Sequence, residues 1–85
     1  MGFVLCICRH CGFITYGERP EAESAMIRHL VRKHGVWYPT PGRFRPHYIV
    51  IHPPASWVPL IRSPSTRRTV LRALHGAYRP RGLRP

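Results

Sequence analysis

The first 35 residues carry a pattern of apolar and polar positions that predicts two short strands. Residues 3–8 are apolar and β-prone, and residues 13–16 return to a β-type composition after the sequence CRHCG at residues 8–12. A tight turn between two such segments is typical of a β-hairpin. Gly17 is expected to end the second strand.

A helix is predicted to follow the hairpin. Pro20 suits a first helical turn, Glu21 and Glu23 complement the positive end of the helix dipole, and residues 32–34 place three basic side chains at the other end. Gly35 is placed to stop the helix. On one face of this helix, at three- and four-residue spacing, lie Ala22, Met26, His29 and Lys33, with Leu30 beside them.

Beyond Gly35 the pattern is less regular. Residues 47–52 are a candidate strand and residues 66–75 a candidate helix, with Gly76 as its terminator, and residues 77–85 are expected to be a flexible tail. The helix would carry an apolar face made by Val70, Leu71 and Leu74. These elements predict a small α+β fold, with a folded module at 1–35 and a basic extension at 36–85.

The distribution of charge supports this division of the chain near Gly35. The chain of 85 residues has a formal net charge of +11. Residues 1–35 hold five basic and all three acidic side chains, whereas residues 36–85 hold nine Arg, nine Pro and no acid. A positive field of this strength favours a polyanionic partner, with nucleic acid the usual one.

Cysteine spacing points to a metal. Three cysteines lie within six residues, which is poor geometry for a loop-closing disulfide, and histidines follow on the predicted helix. The pattern Cys8-x2-Cys11-x17-His29-x4-His34 supplies four ligands suited to tetrahedral zinc. Residues five apart on a helix differ by about 140°, so the last turn is expected to tighten or unwind to bring His34 round. Cys6 is expected to be a buried strand residue, and His10 to be exposed.

Residues 6–34 resemble the two-cysteine, two-histidine zinc finger of the ββα class. The resemblance implies one structural Zn²⁺ and an apolar core position at Met26. Two features depart from the common form, because the gap between the ligand pairs is 17 residues rather than about 12 and the core aromatic is out of register. Phe13 and Tyr16 are the substitutes for that aromatic.

The same resemblance assigns the three base-reading helix positions to Ala22, Ala25 and Arg28. Alanine offers no hydrogen bond, so only Arg28 could pair with a guanine, and the chain contains no Asn or Gln to contact adenine. Strong sequence-specific recognition of bases is therefore not expected. The protein is expected to bind the phosphate backbone instead. The cations expected to contact nucleic acid are Arg9, Arg28, Arg32, Lys33, Arg43, Arg45, Arg67, Arg68, Arg72, Arg79, Arg81 and Arg84.

Aromatic residues interleave with these cations and could stack on unpaired bases, which suits RNA. Tyr48 and Trp57 are expected to be core residues, whereas Phe44 and Tyr78, each flanked by Arg and Pro, are the predicted stacking residues.

An RNA-binding ribonucleoprotein or ribosome-type component is the leading hypothesis. A small single-finger DNA-binding transcription regulator of archaeal or archaeal-virus type is the first alternative. The second is a protein-interaction module using a surface of Ile27, Leu30 and Val31. An enzyme is not expected, since the chain has no Asp and its metal would be fully liganded. No small-molecule substrate is expected. No membrane partner is expected either, because no stretch approaches the about 18 apolar residues that a spanning helix needs. The protein is expected to be cytoplasmic.

Overall fold

The computed structural model describes residues 2–77. Its centre is a three-stranded antiparallel sheet in the order β2-β1-β3. The strands are β1 (Phe3–Cys8), β2 (Ile14–Glu18) and β3 (Tyr48–Ile51), and the helices are α1 (Arg19–His34), α2 (Val58–Arg62) and α3 (Pro64–Ala77), with 3₁₀ helices at Pro41–His47 and Ala55–Trp57. The fold is thus a small α+β structure, and the predicted tail beyond Ala77 lies outside the described residues.

The hairpin forms where the pattern predicts it. The amide of Gly12 donates to the carbonyl of Cys8 at 2.9 Å, and the amide of Cys8 donates to the carbonyl of Phe13 at 2.8 Å. The prediction that Gly17 ends β2 was wrong, because Gly17 pairs with Val4 and the strand continues to Glu18. Gly17 has a φ of 134°, a conformation that favours glycine, so it is accommodated within the strand.

Helix α1 begins at Arg19 and ends at His34, with Pro20 in its first turn. Gly35 adopts the left-handed conformation, with a φ of 65°, and its amide donates to the carbonyl of Leu30. This is the glycine stop expected from the sequence.

Strand β1 is buried on both faces. Val4, Cys6 and Cys8 face a cluster built by α1, whereas Leu5 and Ile7 face a second cluster under α2 and α3. None of these five side chains is more than 1% exposed. Since alternate residues of a strand point to opposite faces, burial on both sides explains why residues 3–8 form an unbroken apolar run.

The two clusters draw on residues from both halves of the chain. The first cluster contains Ala22, Met26, Leu30, Phe44 and Tyr48. The second cluster contains Ile14, Ile61 and Leu74, with Trp57, Val70 and Leu71 packed against it. The predicted core role of Met26 is therefore confirmed, as is that of Tyr48.

Three aromatic and apolar predictions were wrong. Phe44 is only 3% exposed and packs edge-on to Tyr38, with ring centroids 5.1 Å apart, so it cannot stack on a base. Phe13 is 48% exposed and does not replace the missing core aromatic, a place taken by Phe44 and Tyr48. Leu30 is fully buried and so cannot belong to a docking surface.

The segment beyond Gly35 shares the sheet with the first 35 residues. Strand β3 pairs antiparallel with β1, with Leu5 opposite Ile51 and Cys8 opposite Tyr48. Helix α3 is longer than the predicted 66–75, and Gly76 does not terminate it. The Arg67 side chain stabilises the α2–α3 corner, where its Nε donates to the carbonyl of Ile61 at 2.7 Å.

A partly buried carboxylate links α1 to this later segment. Glu23, with 16% of its side chain exposed, accepts hydrogen bonds from Arg19 at 2.8 Å, from Arg45 at 3.1 Å and from the Tyr48 hydroxyl. Burial by itself would raise the pKa of Glu23, but the hydrogen bonds from Tyr48 and Arg19 and the charges of Arg45 and Arg19 hold it below its usual value.

Tyr48→Phe should therefore destabilise the protein by about 1–3 kcal/mol near neutral pH, since it removes a donor to a shielded charge. The Glu23 contribution is present above the unfolded-state pKa of about 4.3 and is lost as the pH falls through the lower folded-state pKa. The difference in free energy of unfolding between wild type and variant should shrink over that range in denaturant titrations. Tyr16→Phe is the matched control, because Tyr16 packs against the second cluster and its hydroxyl makes no hydrogen bond within residues 2–77. A Tyr48→Phe cost that is equal at every pH would contradict this account.

Candidate metal centre

Two structural elements bring the four predicted ligands together. Cys8 is the last residue of β1 and Cys11 lies in the turn that follows it, while His29 and His34 project from the last turns of α1. The packing of α1 across the hairpin carries the two pairs to one point. Their ligand atoms all lie within 4.8 Å of one another.

The distances fit a tetrahedral metal site. Cys8 Sγ lies 3.5 Å from His34 Nε2, Cys11 Sγ lies 3.2 Å from His29 Nε2, and the two Nε2 atoms are 3.2 Å apart. Bond lengths of about 2.3 Å to sulfur and 2.0–2.1 Å to nitrogen place tetrahedral zinc ligands about 3.3–3.8 Å from one another. The cluster therefore has the donor set that zinc requires, and these three distances lie close to those of a tetrahedral site.

Hydrogen bonding alone does not explain this convergence. An imidazole nitrogen carries either one proton or one lone pair, yet His29 Nε2 approaches both a sulfur and a second nitrogen at 3.2 Å. A cation at the centre would satisfy all four atoms at once. The arrangement is a possible Cys2His2 site, consistent with one zinc ion in a ββα-like setting.

The electrostatics suit neutral imidazole ligands. Burial lowers the pKa of His29, and the neighbouring charges of His34 and Lys33 lower it further. Burial and His10 likewise lower the pKa of His34. Burial raises the pKa of the Cys8 thiol, an effect opposed by backbone hydrogen bonds from His10 and Cys11. A bound metal would deprotonate such a thiol.

The prediction that the last turn of α1 tightens or unwinds was wrong. The helix remains α-helical to His34. Both histidines present Nε2, the ring nitrogen farther from the backbone, and that reach spans the difference in direction between positions five apart.

Ring contacts that the sequence did not indicate surround the ligands. The Phe13 ring stacks on His29 with centroids 4.4 Å apart and planes 16° apart. His10 is exposed, as predicted, and its ring lies 4.9 Å from that of His34. His10 Nε2 also lies 2.8 Å from Nδ1 of His47. No local spacing connects residues 10 and 47, so only the β1–β3 pairing could have revealed this contact.

Cys6 is not part of the site. It is fully buried on the α1 side of β1, as predicted, and burial raises the pKa of its thiol to about 11. A thiol in this setting is inert compared with the ligand cysteines.

The predicted nucleic-acid contacts fall into several groups. The predicted contacts whose side chains are exposed are Arg9, Arg28, Arg32, Lys33, Arg43, Arg45, Arg68 and Arg72. Arg67 is half-buried, and its Nε and Nη2 donate to backbone carbonyls. Arg79, Arg81 and Arg84, together with the predicted stacking residue Tyr78, lie outside the described residues.

A groove runs between the metal site and α3. We call it the basic groove and define it by Phe13, Lys33, Arg68, Leu71 and Arg72. Its volume is about 1090 Å³, and His29 and His34 also line it. The sequence placed these cations in separate segments and did not indicate that they share a cavity.

Gly12 lies against His75, one of the residues that line the groove. Its φ of 82° favours glycine, and a Cβ built there would lie 2.8 Å from Cε1 of His75. The His75 ring of α3 therefore packs directly on the backbone of the turn that carries the cysteine ligands, so α3 and the metal site are in contact.

Comparison of the chain with protein-family models, with curated proteins and with solved structures found no match. Within residues 2–77, no helix has the length and apolar character needed to cross a bilayer. The assignment of the metal centre accordingly depends on its own geometry and donor set.

Proposed function

We propose that this chain is a zinc-stabilised nucleic-acid-binding protein that acts mainly through phosphate contacts, as an RNA-binding component of a ribonucleoprotein. The metal has a structural role in this proposal, because four protein ligands fill a tetrahedral site. Catalysis is not proposed.

The observation that carries the proposal is a surface of unpaired positive charge. Among residues 2–77, the cations within ion-pair distance of a carboxylate are Arg19, Arg45 and Arg62. The remaining exposed cations of that region, which have no such partner there, are Arg9, Arg28, Arg32, Lys33, Arg43, Arg68 and Arg72. A polyanion would neutralise these charges and release its counterions.

The environment of α1 supports phosphate binding over base reading. Ala22 is fully buried against the sheet and Ala25 is half-buried, so of the three base-reading positions only Arg28 is exposed. One exposed arginine could contact a guanine but could not specify a site. This weighs against a sequence-specific DNA regulator.

Binding to a polynucleotide should weaken steeply with salt. The logarithm of the association constant should fall linearly with the logarithm of salt concentration, with a slope of about −0.7 to −0.9 for each phosphate neutralised. Fluorescence anisotropy with labelled RNA at several salt concentrations would measure this slope. Lack of binding to any polynucleotide at low salt would refute the proposal.

Two controls refine the measurement. A variant ending at Ala77 lacks Arg79, Arg81 and Arg84 and so tests the contribution of the tail. This truncation should reduce the magnitude of the salt slope by up to about 3. Competition among structured RNA, single strands and duplex DNA at fixed salt tests the preferred nucleic acid. If one short duplex competes better than random duplex by more than about 100-fold, the ribonucleoprotein proposal fails and the DNA-regulator alternative is favoured.

A further inference from the structure

We infer that the basic groove binds a single-stranded segment of nucleic acid, with an unpaired base stacked on Phe13 and the adjoining phosphates bound by Lys33, Arg68 and Arg72. This inference rests on the proposed function and names the site and the strand form that it would use.

Phe13 has the properties of a stacking platform. Nearly half of its surface is exposed, one face of its ring is covered by His29, and the ring lines the groove. Because His29 is a predicted metal ligand, the ring beneath Phe13 is held in place. A platform that is ordered before binding loses little conformational entropy when a base stacks on it.

The cations are placed to bind phosphates beside this platform. Lys33 comes from the end of α1, and Arg68 and Arg72 lie one turn apart on α3, so that their side chains share a helix face. The part of the chain that the structure describes places no carboxylate on the groove lining. The groove therefore combines positive charge with an apolar floor at Phe13 and Leu71.

This combination identifies the occupant. The tail cannot be attracted into the groove by charge, since residues 78–85 contain three arginines and no acidic side chain. A single strand offers both an anionic backbone and exposed base faces, whereas a duplex keeps its bases stacked inside. The volume of about 1090 Å³ slightly exceeds the roughly 300–1,000 Å³ of small-molecule sites, which leaves room for a short run of nucleotides.

Phe13→Ala should weaken binding of a single strand about tenfold, because stacking of one base contributes that much to affinity. The probe is a labelled uridine oligonucleotide of about 12 nucleotides, a length within the usual site sizes, and the comparison probe is a mixed-sequence duplex of equal length. Affinity for the duplex should change by less than about twofold, and Phe13→Trp should retain single-strand binding.

Charge variants test the groove independently of the aromatic ring. Arg72→Ala should weaken single-strand binding several-fold and reduce the salt slope by about 1. Arg62→Ala is the matched control, since it removes the same charge from a side chain that is 64% exposed and does not line the groove. It should change the single-strand affinity by less than about twofold.

Zinc content and far-UV circular dichroism must be measured for every variant, because Phe13 contacts a ligand. If Phe13→Ala loses zinc, Phe13→Trp and Arg72→Ala test whether the basic groove binds the single strand. The inference would be overturned if the variants lost single-strand and duplex affinity equally. It would also be overturned if variants with the zinc content and circular dichroism of wild type lost no single-strand affinity. Either result would leave the proposed function standing. Competition by polyglutamate as strong as that of the oligonucleotide would likewise overturn the inference, whereas failure of wild type to bind any polynucleotide would refute the proposed function itself.

Discussion

Removal of zinc from the proposed metal centre should unfold this protein rather than loosen one loop. The four ligands join the hairpin turn to α1, and α1 covers one face of the sheet through Ala22, Met26 and Leu30. Structural zinc contributes about 10–16 kcal/mol of apparent binding energy, which is comparable to the whole stability of a typical domain, about 5–15 kcal/mol. The strand β1 has both faces buried, so the loss of α1 would expose the centre of the fold.

Chelation followed by far-UV circular dichroism would measure the expected loss of helix, and thiol titration would show the cysteines becoming reactive. His29→Ala should bind zinc far more weakly and show the same unfolding at ordinary zinc concentrations. His52→Ala, which replaces an exposed histidine outside the cluster, is the matched control and should retain zinc. A folded His29→Ala variant that still holds one zinc ion per chain would show that the ligand assignment is wrong.

Ile61→Ala should destabilise the protein by about 2–5 kcal/mol, the usual cost of removing a large buried aliphatic side chain. Ile61 is fully buried and packs in the second cluster with Leu5 and Ile7 of the central strand. Denaturant unfolding at saturating zinc would measure the loss. In a chain of 85 residues, a loss of this size would remove a large share of the total stability.

Leu60→Ala is the matched control for this substitution. Leu60 precedes Ile61 on the same short helix but is 42% exposed, so its truncation should cost less than about 1 kcal/mol. Similar costs for the two variants would mean that α2 does not pack on the sheet as described.

The packing of α2 and α3 also changes how the basic extension should be tested. The charge division near Gly35 makes deletion of residues 62–85 an obvious experiment. That deletion would remove Leu74 and the apolar face of α3 from the second cluster, so it would alter the fold as well as the charge. Deletion of residues 78–85 removes three arginines and keeps every residue that the structure describes in the two clusters.

Local sequence determined much of this protein. The hairpin, the limits of α1 and the roles of Met26 and Cys6 follow from the period of apolar residues and from glycine and proline, which act over a few positions. The four candidate ligands were predictable for the same reason, since each pair lies within one turn or one helix end. Only the convergence of the two pairs needed the fold.

Tertiary structure decided the rest. The pairing of β3 with β1, the burial of Phe44 in place of Phe13, and the meeting of Lys33 with Arg68 and Arg72 all join residues that are more than 25 positions apart. The pattern showed that residues 3–8 were apolar but not that both faces of β1 would be covered. Which segment covers a face depends on competition between packing surfaces across the whole chain, and the local periodicity of a strand or helix carries no record of that partner.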